Sequence, residues 1–514
     1  MAIIERIIQP AVADDGSVHY SSVMSPPDES IAVCPMVPDR VIPVIFVPGV
    51  MGSNLKAVSG SYAGKVIWLV NGPAGVAASW LFRGARTRKQ KLDPDTTAVY
   101  GGGDIPKGTV ESEEELRRRG WGTVGKMSYG TFLPWLENAL NDAHIAKTGL
   151  RSQLMHDLVA DASGVSTLTS EEVALSYRYR MPVHAVGYNW LQSNARSAKT
   201  LEARAREFAQ YYRDQGLRCE KVIIVTHSMG GLVSRYFSEV MGNRESVLGI
   251  AHGVMPTTGS ATAYKRVRSG SEGIAGLVLG PTAGTMTPVF AQSPGPLQLL
   301  PGTDYGMNWL QFIDGSGSSI SLPKANPYTE IYLQRGKWWG LVVDRLINPF
   351  DEKSSNIDDD WGNYQKLIFN HVLTFHQQLQ AKFHSTTYAF YGDDIAHATW
   401  GKIIWKRKSA GNTTYPLDDE MSSDSGRGRV VLKSSATPAE STYDLQPAAD
   451  SGDGTVPVRS GAAPSGFDGV KACIPYPDID HEGAYKKEPQ QKFALWAVTK
   501  IVSNVKGTTL EYTK

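Results

Sequence analysis

Val222-Ile223-Ile224-Val225-Thr226-His227-Ser228-Met229-Gly230-Gly231-Leu232-Val233 is the stretch from which the rest of the chain is read. Its four leading β-branched residues predict a strand buried on both faces, and residues 230–237 predict a helix that begins almost at once. Only a sharp turn fits between them, and such a turn lifts the Ser228 hydroxyl above the end of the sheet. Small residues at Gly230 and Gly231 let the helix close onto the strand. Serine is also a good N-cap, but a cap needs neither the apolar strand before it nor the paired glycines after it. Thr226 stands where a G-x-S-x-G pattern would have its first glycine, a departure from the pattern that leaves the geometric argument intact.

Working outward, residues 182–190 predict a short strand, 195–213 a long amphipathic helix and 247–251 a further strand. The alternation of strand and helix is what a parallel sheet requires. Upstream, residues 41–47 predict another buried strand that runs into Pro48-Gly49-Val50-Met51-Gly52-Ser53-Asn54-Leu55. Glycines at 49 and 52 permit a tight loop whose backbone amides point one way, a means of holding a developing oxyanion without any special side chain. Taken alone it reads equally well as a plain glycine-rich turn. Residues 132–140 predict a helix, 386–392 a strand, 402–408 with 429–433 an inserted hairpin, and 490–502 a closing amphipathic helix. The expected fold is therefore α/β, a mostly parallel sheet flanked by helices. An irregular extension over residues 1–40 precedes a catalytic domain over 41–514, with insertions at about 60–125 and a cap or lid region at about 254–385.

The 514 residues carry a formal net charge of +1, which argues against nucleic acid as a partner because phosphate binding needs a clustered basic surface. Arg83, Arg86, Arg88, Lys89 and Lys91 form the one local basic run and read as a solvated face, with anionic lipid as an alternative partner. Cys34, Cys219 and Cys473 are too few and too scattered for a disulfide framework or a zinc site, and no metal or other cofactor is expected. No signal peptide and no apolar run of membrane-spanning length is evident, so the chain is expected to be soluble as made.

A serine hydroxyl is a poor nucleophile at neutral pH; it needs a neutral imidazole to take its proton and a carboxylate to fix that imidazole's tautomer. His481 lies in a glycine-containing loop, after the acid candidates and before the last helix. His252, His371, His376, His384 and His397 come too early or fall within helix or strand patterns. Two acids compete. Asp393 sits just beyond a strand, whereas Asp453 lies between glycines in a tight loop with Thr455 available to orient it, and Asp453 is preferred. Where a serine elbow of this kind occurs, one oxyanion donor is the amide after the nucleophile, here Met229, and the second comes from an early loop.

Residues 270–301 are rich in Gly, Ala, Pro and aliphatics with few charges. Ile274, Leu277, Val278, Leu279, Val289 and Phe290 supply apolar surface on a permissive backbone, which predicts a lid that opens against lipid. Asp358-Asp359-Asp360 reads as a solvated helix start before Trp361 rather than a cation site.

The elbow has the form of the α/β-hydrolase nucleophile turn. Together with residues 48–53, Leu299-Leu300-Pro301 and Gly452-Asp453-Gly454-Thr455-Val456-Pro457, it resembles the lipases related to lecithin:cholesterol acyltransferase and lysosomal phospholipase A2, and the GPI inositol-deacylase-like lipases. The resemblance implies Ser228, Asp453 and His481 as nucleophile, acid and base, with the Val50 and Met229 amides as oxyanion donors and Met51 as the fallback. Without a signal peptide or cysteine framework the chain is also similar to bacterial phospholipase effectors of type VI secretion. That likeness implies phospholipid as substrate, a cognate immunity protein as partner and the periplasm of a target cell as destination. An acyltransferase, a general carboxylesterase or a catalytically inactive binding module on the same fold are the alternatives.

Overall fold

The computed structural model describes residues 4–8, 10–12, 18–22, 30–33, 37–72, 75, 79–80, 83–272, 276, 280–408, 416–434 and 440–512. Its central sheet has six strands: β1 (Val44–Val47), β2 (Val183–Ala185), β3 (Val222–His227), β4 (Val247–Gly253), β5 (Thr387–Gly392) and β6 (Val470–Tyr476). They lie in the order β6-β5-β4-β3-β1-β2, and every neighbouring pair is parallel. The aliphatic runs of β1 and β3 are needed because helices cover both faces. Val44, Phe46, Ile223 and Val225 pack with Phe132 and Leu136 of helix α1 (Phe132–Leu140) and with residues of the closing helix Glu488–Val502. Ile45, Val47, Val222 and Ile224 face the other way, against Leu201 and Phe208 of α2 (Asn194–Asp214) and Val233 of α3 (Gly230–Arg235).

The chain runs from β1 out to the edge strand β2, then returns to place β3 on the other side of β1. The direction of winding therefore reverses between β1 and β3. A crevice opens outside the carboxyl ends of strands at such a point, and those two ends carry the 48–52 loop and Ser228.

A second layer has its own six-stranded sheet, in the order Ser319–Leu322, Leu310–Ile313, Ile403–Arg407, Glu440–Leu445, Arg429–Lys433, Glu420–Asp424. Trp309, Phe312, Trp338, Trp405 and Tyr443 form its core together with Tyr264 of α4 (Ala261–Ser269). This layer draws on residues well beyond 385. Residues 402–408 and 429–433 do not form the expected hairpin: Glu440–Leu445 lies between them and pairs antiparallel with both. Its alternating pattern, with Ser441 and Tyr443 buried, suits a strand bonded on each side.

Within the N-terminal extension, Ile4–Ile7 pairs with Ser30–Val33 and Pro10–Val12 with Val18–Tyr20, ladders too short to stand out in a sequence expected to be irregular. Near residue 60 a small antiparallel sheet forms from Leu55–Ala57, Val66–Trp68 and Thr97–Val99. The basic run is a solvated face only at Arg83 and Arg86, which are exposed. Arg88 is buried and donates to the carbonyls of Arg83 and Trp80, Lys89 reaches the Pro288 carbonyl, and Arg86 pairs with Glu352. The expected lid is divided. Ile274, Leu277, Val278 and Leu279 lie outside the described residues, as does Cys34. Farther along, Met286, Val289, Leu297 and Leu300 are buried in or beside the helices Ala283–Phe290 and Pro294–Leu297. Asp358, Asp359 and Asp360 occupy the first turn of a helix, Ile357–Leu367. Among the described residues, no helix is long and apolar enough to cross a membrane.

Candidate active site

The turn after β3 is as tight as its sequence requires. Ser228 has φ 51°, in the left-handed region, and its N–H donates to the Gly253 carbonyl at the end of β4 at 2.9 Å. Holding a non-glycine residue there costs about 1–3 kcal/mol, which the surrounding structure must offset. Gly230 is needed because a Cβ there would lie 2.4 Å from the Val47 carbonyl oxygen, so α3 starts directly against β1. A Cβ on Gly49 would come within 2.8 Å of His227 Nδ1, so the early loop likewise presses on the elbow.

The structure brings Ser228, His481 and Asp453 together. His481, in the loop after β6, has Nε2 at 2.9 Å from Ser228 Oγ and Nδ1 at 2.8 Å from Asp453 Oδ2. Asp453 is 1% exposed. Its Oδ1 accepts the N–H groups of Thr455 (2.9 Å) and Val456 (2.6 Å), and its carbonyl accepts the His481 N–H at 3.0 Å. Thr455 thus orients the acid through its backbone rather than its hydroxyl. The carboxylate keeps the Nδ1 proton, leaving Nε2 free to accept the serine proton. Asp393 is turned elsewhere: its Oδ1 accepts from the Ser451 hydroxyl at 2.6 Å. A Cβ on Gly392 would come 2.7 Å from Asp453 Cβ, so Asp453 occupies the space over the end of β5 that a residue just after that strand would otherwise fill. His252 bonds Thr226, His376 bonds Tyr328 and Gln298, and His397 faces Asp478.

One arrangement here had no signal in the sequence. The Gly49 N–H donates to Tyr129 Oη (3.1 Å), the Tyr129 hydroxyl bonds His227 Nδ1 (2.9 Å), and His227 Nε2 bonds the His481 carbonyl oxygen (2.8 Å). A carbonyl only accepts, so Nε2 carries the His227 proton and Nδ1 accepts from the tyrosine. Burial, with the neighbouring His481, pushes the His227 imidazole down to about 3 and keeps it neutral. Burial pushes the Tyr129 phenol up, which keeps its proton in place. Tyr129 belongs to a short helix, Lys126–Tyr129, in a glycine-rich segment with no visible periodicity.

The amides of Val50, Met51 and Met229 make no hydrogen bond to another group among the described residues. Met51 has φ 62°, which turns the loop sharply beside the elbow. Val50 and Met51 both border the cavity into which Ser228 opens.

That cavity measures about 680 Å³. Trp68, Val70, Met127, Trp190, Phe290 and Leu299 form an apolar body, while Arg266, Glu272, Asp480, Glu482 and Lys486 supply charge. Among the described residues, no group of three or more His, Cys, Asp or Glu side chains is placed to hold a metal ion.

Comparison with known proteins bears on the family and the fold. Residues 159–336 match the lecithin:cholesterol acyltransferase family, a stretch that includes the elbow. No curated protein matches the chain. The chain is 31% identical to a solved structure described as the crystal structure of the Tle4-Tli4 complex, with a TM-score of 0.78, over 90% of this chain and 98% of that one. The parallel order of the central sheet, the serine elbow at its winding reversal and the similarity over almost the whole length agree: this chain is an α/β-hydrolase of the Tle4 family, carrying a lecithin:cholesterol acyltransferase-type segment.

Proposed function

We propose that the protein is a serine lipase that hydrolyses carboxylic ester bonds of membrane phospholipids through an acyl-enzyme. Ser228 Oγ attacks the acyl carbonyl as its proton passes to His481 Nε2, and Asp453 stabilises the resulting imidazolium. The carbonyl oxygen becomes an oxyanion, which the Met229 amide and the Val50 or Met51 amide are placed to bind. When the intermediate collapses, the alcohol leaves with the proton from His481. Water, deprotonated by the same imidazole, then releases the fatty acid and restores the Ser228 hydroxyl.

One observation carries this reading: the unbroken hydrogen-bonded series Ser228–His481–Asp453 opens on an apolar cavity of about 680 Å³. Pockets of about 300–1,000 Å³ bury most of a small ligand's surface, and apolar walls suit an acyl chain. Kinship with lecithin:cholesterol acyltransferase supports a lipid acyl ester. Similarity to Tle4, solved with Tli4, supports a role as a type VI effector that acts in a target cell's periplasm and is held by a cognate immunity protein in the producer.

The test is product analysis on vesicles of mixed bacterial phospholipids. Wild type releases free fatty acid and a lysophospholipid, and Ser228→Ala releases neither; release by the variant would contradict the proposal. The family match also supports a second reading, an acyltransferase, in which an alcohol takes the place of water. Ester product that replaces free fatty acid when an alcohol acceptor is added would establish it.

A further inference from the structure

Helix α4 carries three cations in its last turns, and two of them are committed to the fold. Lys265 pairs with Glu272 and donates to the Gly270 carbonyl at 3.0 Å. Arg268 pairs with Asp424 at 2.7 Å and donates to the Trp338 carbonyl. Arg266 differs. Its guanidinium borders the active-site cavity, where one Nη2–H donates to Thr455 Oγ1 at 3.1 Å. Its Nε is buried without a hydrogen-bond partner, and among the described residues no carboxylate pairs with it. The carboxylate whose charge favours the Arg266 cation is Asp453, which is already bonded to His481 and to two backbone amides. Lys486, the other cation at the cavity, pairs with Glu482 at 2.6 Å.

A guanidinium kept in a largely apolar cavity with unused donors is costly unless an anion completes it. The fork of N–H donors matches a phosphate oxygen pair in a way that a point-charge ammonium does not. Burial lowers the Arg266 pKa, and a bound anion would reverse that penalty. A single residue, Gly454, separates Thr455 from Asp453, so the guanidinium that bonds Thr455 lies on the Asp453 side of the cavity that opens at Ser228.

We propose that Arg266 is the head-group subsite of the enzyme: it binds the phosphate of a glycerophospholipid whose acyl carbonyl faces Ser228. This rests on the lipase reading above and adds to it the residue that selects phospholipids over neutral acylglycerols. The selection comes from the ligand itself, because a neutral ester leaves the guanidinium unpaired.

The experiment compares dioleoylphosphatidylglycerol with dioleoylglycerol in the same detergent micelles, for wild type, Arg266→Ala and Arg266→Gln. The ratio of kcat/KM for the phospholipid to that for the neutral lipid falls about 10²-fold in both variants, mostly through KM, as expected when a buried charge pair loses a member. An equal loss on both substrates would assign Arg266 to holding the Thr455 loop and overturn the proposal. Dodecyl phosphate inhibits wild type and fails on the variants, while dodecanol does not distinguish them. Inhibition by inorganic phosphate as strong as that by dodecyl phosphate would show a free-anion site and overturn the head-group assignment. Wild-type hydrolysis of the neutral lipid without preference for the phospholipid would sink this inference and leave the serine lipase standing. Retained hydrolysis in Ser228→Ala would remove the reading on which it rests.

Discussion

His227 donates its Nε2–H to the carbonyl oxygen of His481 at 2.8 Å, so the residue before Ser228 holds the backbone of His481. Its other nitrogen reaches the early loop through Tyr129, which accepts from Gly49. The elbow, His481 and the 48–52 loop are thus tied by one neutral, fully bonded series.

Breaking that series leaves buried donors and acceptors unpaired, at about 1–3 kcal/mol each. His227→Ala should lower kcat on a soluble ester by about 10- to 10²-fold with little change in KM. His227→Gln, which can still donate to the His481 carbonyl, should recover part of the loss, and Tyr129→Phe should fall between. Equal rates for the Ala and Gln variants would show that the bond to His481 does not position the base.

The two acids separate at the level of single atoms. In Asp453→Asn the amide oxygen stays with the Thr455 and Val456 N–H groups, so the NH₂ faces His481 Nδ1. That forces the ring proton onto Nε2, where it can no longer accept from Ser228. Activity should fall about 10²- to 10⁴-fold. Asp393→Asn keeps an oxygen for the Ser451 hydroxyl and should change activity by less than about 3-fold, within the range of a peripheral substitution. The opposite ranking in ester hydrolysis would move the acid to Asp393.

Acid stability follows from histidines buried without charge. Burial pushes both His227 and His252 down to about 3, and lowers His184 as well. Below about pH 6.5 the unfolded chain protonates these rings while the folded chain does not. The unfolded state therefore binds more protons between about pH 6.5 and 3, and stability is lost as pH falls through that window. His252→Asn, which keeps a hydrogen-bonding partner for the Thr226 hydroxyl, should flatten the decline of Tm between pH 7 and 4.5. A decline as steep as that of wild type would refute the assignment.

The sheet and elbow were legible because each rests on a local pattern: a doubly buried strand must be an aliphatic run, and the turn at Ser228 demands small residues after it. Asp453 could be preferred over Asp393 because a loop between glycines constrains a carboxylate, yet nothing in the sequence showed that Asp453 packs over Gly392 at the end of β5. Tyr129 and Arg266 carried no signal at all. One sits far from Ser228 in the chain and meets it only through β1 and β3, and the other looks like any surface cation on an amphipathic helix. The second sheet misled for a related reason: two strand-like runs close in sequence suggest a hairpin, but the residue pattern does not reveal that Glu420–Asp424 lies between them in the chain and Glu440–Leu445 between them in the sheet.

The covalent role proposed for Ser228 is tested most directly by intact-mass and peptide analysis after reaction with a fluorophosphonate. The protein should gain a single adduct on the peptide that contains Ser228, with none in Ser228→Ala and a rate reduced by about 10³-fold or more in His481→Ala. Stoichiometric labelling of another residue, or an unlabelled wild-type protein that still hydrolyses ester, would contradict it.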